Sequence, residues 1–80
     1  MKTSIQADPL LEIVNTVRQN KQLPPVDAIR AGDHLRRDLG FDSLDLAELT
    51  VRLEERFAVD VFADGLVHTV AEVRGRLGQA

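Results

Sequence analysis

The chain has 80 residues, room for one domain with a modest apolar core and too little for a cleft walled by separate layers. Hydrophobic residues make up 44%, with no Trp or Tyr and three Phe, so the core must come mainly from Leu, Val and Ile; with no Cys, a disulfide staple is excluded and any thiol chemistry must be imported. The net charge of -3 argues against a nucleic-acid partner, and the absence of a membrane-length apolar run or a signal core in Met1–Asp8 leads us to expect a soluble, cytoplasmic chain; its start at Met1 favours a freestanding one, and a monomer is expected.

Asp8-Pro9 is the first strong punctuation, a capping residue followed by proline at the first helical position. Leu10, Ile13, Val14 and Val17 recur at helical steps, with Glu12, Arg18 and Lys21 on other faces, which predicts an amphipathic helix over about 9–21. Leu23-Pro24-Pro25 should end it. The following stretch to Phe41 shows no long periodicity, yet a structureless loop of about 20 residues is unusual in so small a domain. Asp33 is expected to cap a short turn carrying Leu35 and Leu39 into the core, with Gly40 turning the chain after it.

The second long helix is predicted over about 43–57, capped by Asp42 with Asp45 three positions later. Phe62 to His68 leaves space for a short third helix of one or two turns. Thr69-Val70-Ala71-Glu72 reads as a capping box, and Val70, Val73 and Leu77 carry a last helix to about 78. The expected architecture is all-α: a small four-helix bundle of three longer helices and a short third one, with a long structured loop between helices 1 and 2.

The second helix is predicted to have two unlike faces. At about 100° per residue, Leu46, Leu49, Thr50, Leu53 and Phe57 share one core-facing stripe. Opposite them Leu44, Ala47, Glu48, Val51 and Glu55 mix apolar groups with carboxylates. Scattered apolar surface residues are ordinary, whereas an apolar patch ringed by acid suits a docking surface for basic partners. Residues 42–56 hold five carboxylates against two arginines, a net -3 equal to that of the whole chain.

Asp38-Leu39-Gly40-Phe41-Asp42-Ser43-Leu44-Asp45-Leu46-Ala47-Glu48-Leu49 closely resembles the signature of acyl carrier proteins, in which Asp-Ser-Leu follows a glycine and opens the second helix. The likeness runs on through Leu53-Glu54-Glu55-Arg56-Phe57, Val61 and Thr69-Val70, so residues 1–80 read as a single acyl-carrier-like domain. The resemblance implies that Ser43 is esterified with 4'-phosphopantetheine by a phosphopantetheinyl transferase using coenzyme A. It also implies a non-catalytic carrier that holds acyl groups as thioesters for lipid or specialised-metabolite biosynthesis. Asp42 and Leu44 would flank the attachment point, and Asp45, Ala47, Glu48, Val51, Glu54 and Glu55 would meet partner enzymes. Those partners would be the transferase, an acyl- or aminoacyl-activating ligase and acyl-processing enzymes.

Three rivals stand beside that expectation. Carriers of aminoacyl, peptidyl or polyketide units share the arm and the fold, and a helical adaptor could keep the docking helix without the modification. A serine hydrolase would need a nucleophile elbow that is missing here. Phe41 departs from the fatty-acid carriers, where small residues are common before the Asp-Ser-Leu motif. His34 and His68, each alone in a turn, suit surface or capping roles rather than a metal site. A cargo slipped between the helices would lie beside Leu46, Leu53, Val61 and Val73, whereas a cargo merely displayed needs no such pocket.

Overall fold

Asp8 is extended and its carboxylate accepts the Leu10 amide at 3.1 Å, so the chain enters its first helix with Pro9 in place. The computed structural model describes residues 8–78, and the Met1–Ala7 stretch read as free of a signal core lies outside them. Helix α1 spans Pro9–Asn20 and buries Leu10, Ile13, Val14 and Val17. It ends before the prolines, through Gln22 at φ 65°. The Leu23 amide donates to the Arg18 carbonyl and the Gln22 amide to the Gln19 carbonyl, each at 2.9 Å, the paired bonds of a Schellman end.

Helix α2 spans Ser43–Phe57, as the sequence predicts, and closes on Ala58 in the left-handed region. Helix α3 spans Val70–Arg76, with Leu77 capping it and Gly78 at φ 80° turning the chain away, about two residues short of the predicted end. Thr69 and Glu72 form its capping box, and Glu72 also accepts the His68 amide at 2.6 Å. Those two backbone amides hold the Glu72 carboxyl below its ordinary range. Further along α3 Arg74 pairs with Asp8 at 2.7 Å, tying α3 to the cap of α1; that hydrogen bond is the main reason the Asp8 carboxyl titrates low.

Among the described residues the chain is helical and without strands, but it has three helices rather than four. The segment expected to form the short third helix is a chain of tight turns. Asp60 accepts the Phe62 amide at 3.0 Å, the Ala63 amide donates to the Asp60 carbonyl at 3.2 Å, and the Gly65 amide donates to the Phe62 carbonyl at 3.1 Å. Gly65 then takes φ 123°, a conformation that no helix continues through.

The long connection from 21 to 42 is fastened along its length. Asn15 exchanges two hydrogen bonds with the Val26 backbone, and Arg18 donates to the carbonyls of Pro24 and Leu39. Arg18 and Lys21, read from sequence as residues of the outer faces, thus tie the loop down. Leu35 and Leu39 enter the core on a turn as expected, but His34 caps it rather than Asp33. The His34 Nδ1 accepts the amides of Arg36 and Arg37, each at 3.2 Å, while Asp33 accepts the Arg30 amide behind it. A short main-chain seam then joins this loop to the start of α3: Leu35 donates to the His68 carbonyl at 2.8 Å, and Val70 and Ala71 donate to the Asp33 and Ala31 carbonyls, both at 2.9 Å.

The core lies between α1, the inner face of α2, α3 and the two turns. Leu10, Val17, Leu49, Leu53, Val61 and Val73 are all essentially removed from solvent. Phe41 joins them, its ring buried beneath the start of α2. Among the described residues no helix is long and apolar enough to cross a membrane.

Candidate functional site at the start of the second helix

Ser43 is the first residue of α2, placed there by Asp42, whose extended backbone and side chain form a reciprocal box with Asp45. The Asp42 carboxylate accepts the Asp45 amide at 3.0 Å, and the Asp45 carboxylate accepts the Asp42 amide at 2.9 Å. The Ser43 hydroxyl stays exposed beside the positive end of the helix dipole. Its oxygen accepts a hydrogen bond from Arg36 Nη2 at 2.9 Å. Gly40, two residues before the cap, has φ 80°, and a Cβ there would press to 3.2 Å from Leu23 Cδ1, so this bend requires glycine.

Asp45 forms the capping box its spacing from Asp42 predicts, but it does not stand in solvent with the partner-facing residues among which the family resemblance put it. It is 9% exposed and faces Lys21, whose ammonium also donates to the Gly40 carbonyl at 2.8 Å and lies 3.9 Å from Asp42. Burial pushes the Asp45 carboxyl up, but the hydrogen bonds from Lys21 and Asp42 and the attraction of the Lys21 charge together bring it below its ordinary value. Its work is to fix the helix start against the end of α1.

The other outward residues are where the helical spacing puts them. Leu44 is 79% exposed and Val51 54%, and Ala47, Glu54 and Glu55 are also exposed. Glu48 is half-buried, accepting Arg52 Nε at 2.8 Å and the Asn20 amide at 2.6 Å, so its charge is partly answered within the chain.

Beside Ser43 opens a groove of ≈ 270 Å³, with Ser43 and Arg36 at its polar end and Leu46, Ala47, Thr50, Phe62 and Leu66 along it. Of the four residues named for a cargo between the helices, Leu53, Val61 and Val73 lie in the core and Leu46 also lines the groove. Arg36 and the exposed Leu66 are site residues that sequence reasoning missed. Nothing in the spacing of Arg36 from Ser43 signals their contact, which depends on the His34-capped turn.

These groups suit a phosphodiester on Ser43 followed by a long, weakly polar chain: an accessible hydroxyl, a guanidinium and a helix N-terminus to face the anion, and an apolar trough leading away. The sequence model of the family described as "Phosphopantetheine attachment site" matches residues 10–77. Acyl carrier protein 3 of Ralstonia nicotianae is 48% identical over 40 residues, covering 50% of this chain and 46% of that one. The acyl carrier proteins of Campylobacter fetus and Campylobacter hominis are 38% and 36% identical over 50 residues, covering 62% of this chain and 64% and 62% of theirs. The chain thus spans from about half to less than two thirds of the length of these relatives. Taken with the helical fold and the groove at the start of α2, the match over residues 10–77 shows that the chain belongs to the acyl carrier protein family, non-catalytic carriers of covalently attached 4'-phosphopantetheine.

Proposed function

We propose that Ser43 is the attachment residue and that the chain carries acyl intermediates to partner enzymes of lipid or specialised-metabolite biosynthesis. The observation that carries this is the exposed Ser43 hydroxyl on the first residue of α2, at the polar end of the groove and inside the matched segment. When bound, the arm supplies a terminal thiol that holds acyl groups as thioesters, which this chain without cysteine lacks. Asp42 and Asp45 lock the backbone that presents the hydroxyl, and Lys21 holds that lock to α1. A phosphopantetheinyl transferase would draw the arm from coenzyme A, and an activating ligase would load the thiol.

Leu44, Ala47 and Val51, with Glu48, Glu54 and Glu55 around them, form the face offered to these enzymes. The carboxylates act on approach and register, and the exposed leucine and valine on contact. Phe41, the residue that departs from the fatty-acid carriers, packs inward and puts no ring over the hydroxyl.

Intact mass spectrometry after incubation with coenzyme A, magnesium and a broad-specificity transferase tests the assignment. One pantetheinyl phosphate adduct is expected on the wild type and none on Ser43→Ala. An adduct that persists on Ser43→Ala, or its absence from wild type with several transferases, would overturn it.

A further inference from the structure

We infer that Arg36 clamps the arm's phosphodiester and sets the direction in which the arm leaves Ser43, an inference that rests on Ser43 being the attachment residue. The guanidinium already reaches the Ser43 oxygen, donating from Nη2 at 2.9 Å. That oxygen becomes the ester bridge of the modified residue, so the anionic oxygens of the phosphate lie two bonds beyond it, within range of a fork with five N–H donors. Among the described residues no carboxylate pairs with Arg36, whereas its neighbour Arg37 lies 3.9 Å from Asp38. Acid surrounds the helix start, yet Asp42 and Asp45 are turned toward Lys21. The Arg36 charge is therefore open to a new anion.

The position of Arg36 is set by the fold. The backbone amide of Arg36 is held by His34 Nδ1, and the adjacent Leu35 is sewn to the His68 carbonyl, so the guanidinium springs from an anchored turn. Arg36 and Ser43 share one end of the groove, and the wall beyond them is apolar, formed by Leu46, Phe62 and Leu66. A phosphate held at the charged end leaves the rest of the arm to lie along that wall before it enters solvent or a partner. This gives an otherwise swinging arm a preferred resting side, between α2 and the 61–66 turns rather than over the acidic outer face.

Wild type, Arg36→Ala, Arg36→Lys and the control Arg37→Ala are each converted to the holo form, and conversion is verified by mass. Loading the wild type is expected to raise the thermal midpoint by about 2–4 °C, the size of one exposed charge-assisted contact in a domain of this length. It should also shift the Arg36 side-chain N–H resonances relative to the unloaded wild type, and the arm's phosphorus resonance should differ between the wild-type and Arg36→Ala holo proteins. Arg36→Ala should lose the gain in midpoint, Arg36→Lys should keep part of it, and Arg37→Ala should keep all of it. No adduct on wild type would overturn both the attachment site and the clamp. A normal adduct with the midpoint gain and phosphorus shift intact in Arg36→Ala would overturn the clamp alone.

Discussion

The two faces of α2 share one backbone, and both carry large aliphatic side chains, yet they meet opposite surroundings. Leu49 and Leu53 on the inner face are fully buried, while Leu44 and Val51 on the outer face stand in solvent. A leucine inward holds the bundle together; a leucine outward adds nothing to that core and is the residue on which the proposed docking role rests. The comparison teaches that stability and recognition are separable on this helix, and substitution can pull them apart.

The largest break should come from Leu49→Ala or Leu53→Ala, each expected to cost about 2–5 kcal/mol by urea unfolding, a large share of the stability of so small a domain. Leu44→Ala should stay within about 0.5 kcal/mol of wild type and yet weaken the complex with a cognate transferase. Equal stability losses on the two faces would erase the distinction.

Next in size is the junction where the faces meet. Lys21→Met leaves the mostly buried Asp45 carboxylate without its cation and should cost about 1–3 kcal/mol. The same lock sets an acid limit. Asp8, Asp45 and Glu72 titrate below their ordinary values when folded, so the unfolded chain takes up protons first as the pH falls. Their support is complete above the ordinary carboxylate range, around pH 4, and disappears as the pH drops through each lowered native value. Urea midpoints should therefore fall between about pH 5 and about pH 2, and less steeply in Lys21→Met, where Asp45 has lost the cation that favours its charged form.

Asp42→Ala removes the side-chain half of the capping box and should cost about 1 kcal/mol, read as a lower urea midpoint. The smallest effect on folding belongs to Glu48→Lys with Glu55→Lys. That pair should slow association with a basic partner at low salt and converge with wild type at high salt. Unchanged association rates at low salt would reject the role given to these carboxylates.

Much of this was readable in the sequence because local chemistry decided it. Asp8-Pro9, Asp42 with Asp45, and Thr69 with Glu72 each mark a helix start within a few residues, and the structure places all three helices at those marks. The inner stripe of α2 followed from spacing alone. What escaped was decided by distant partners. Asp45 was legible as the capping partner of Asp42, but not its ion pair with Lys21, 24 positions earlier. Arg36 meets Ser43 only because a histidine caps the intervening turn. The missing short helix shows a further gap: the sequence allowed a turn or two there, and a glycine with Asp60 hydrogen bonding favoured turns instead.

The seam between the 31–35 loop and the start of α3 is made of main chain, with amides from residues 35, 70 and 71 meeting carbonyls of 68, 33 and 31. Fasteners of that kind are indifferent to the side chains they carry. The exposed positions around the groove's rim can thus be rewritten for another cargo or another client while the 31–35 loop stays buttoned to the start of α3, which makes this border the natural place to graft new preferences onto the carrier.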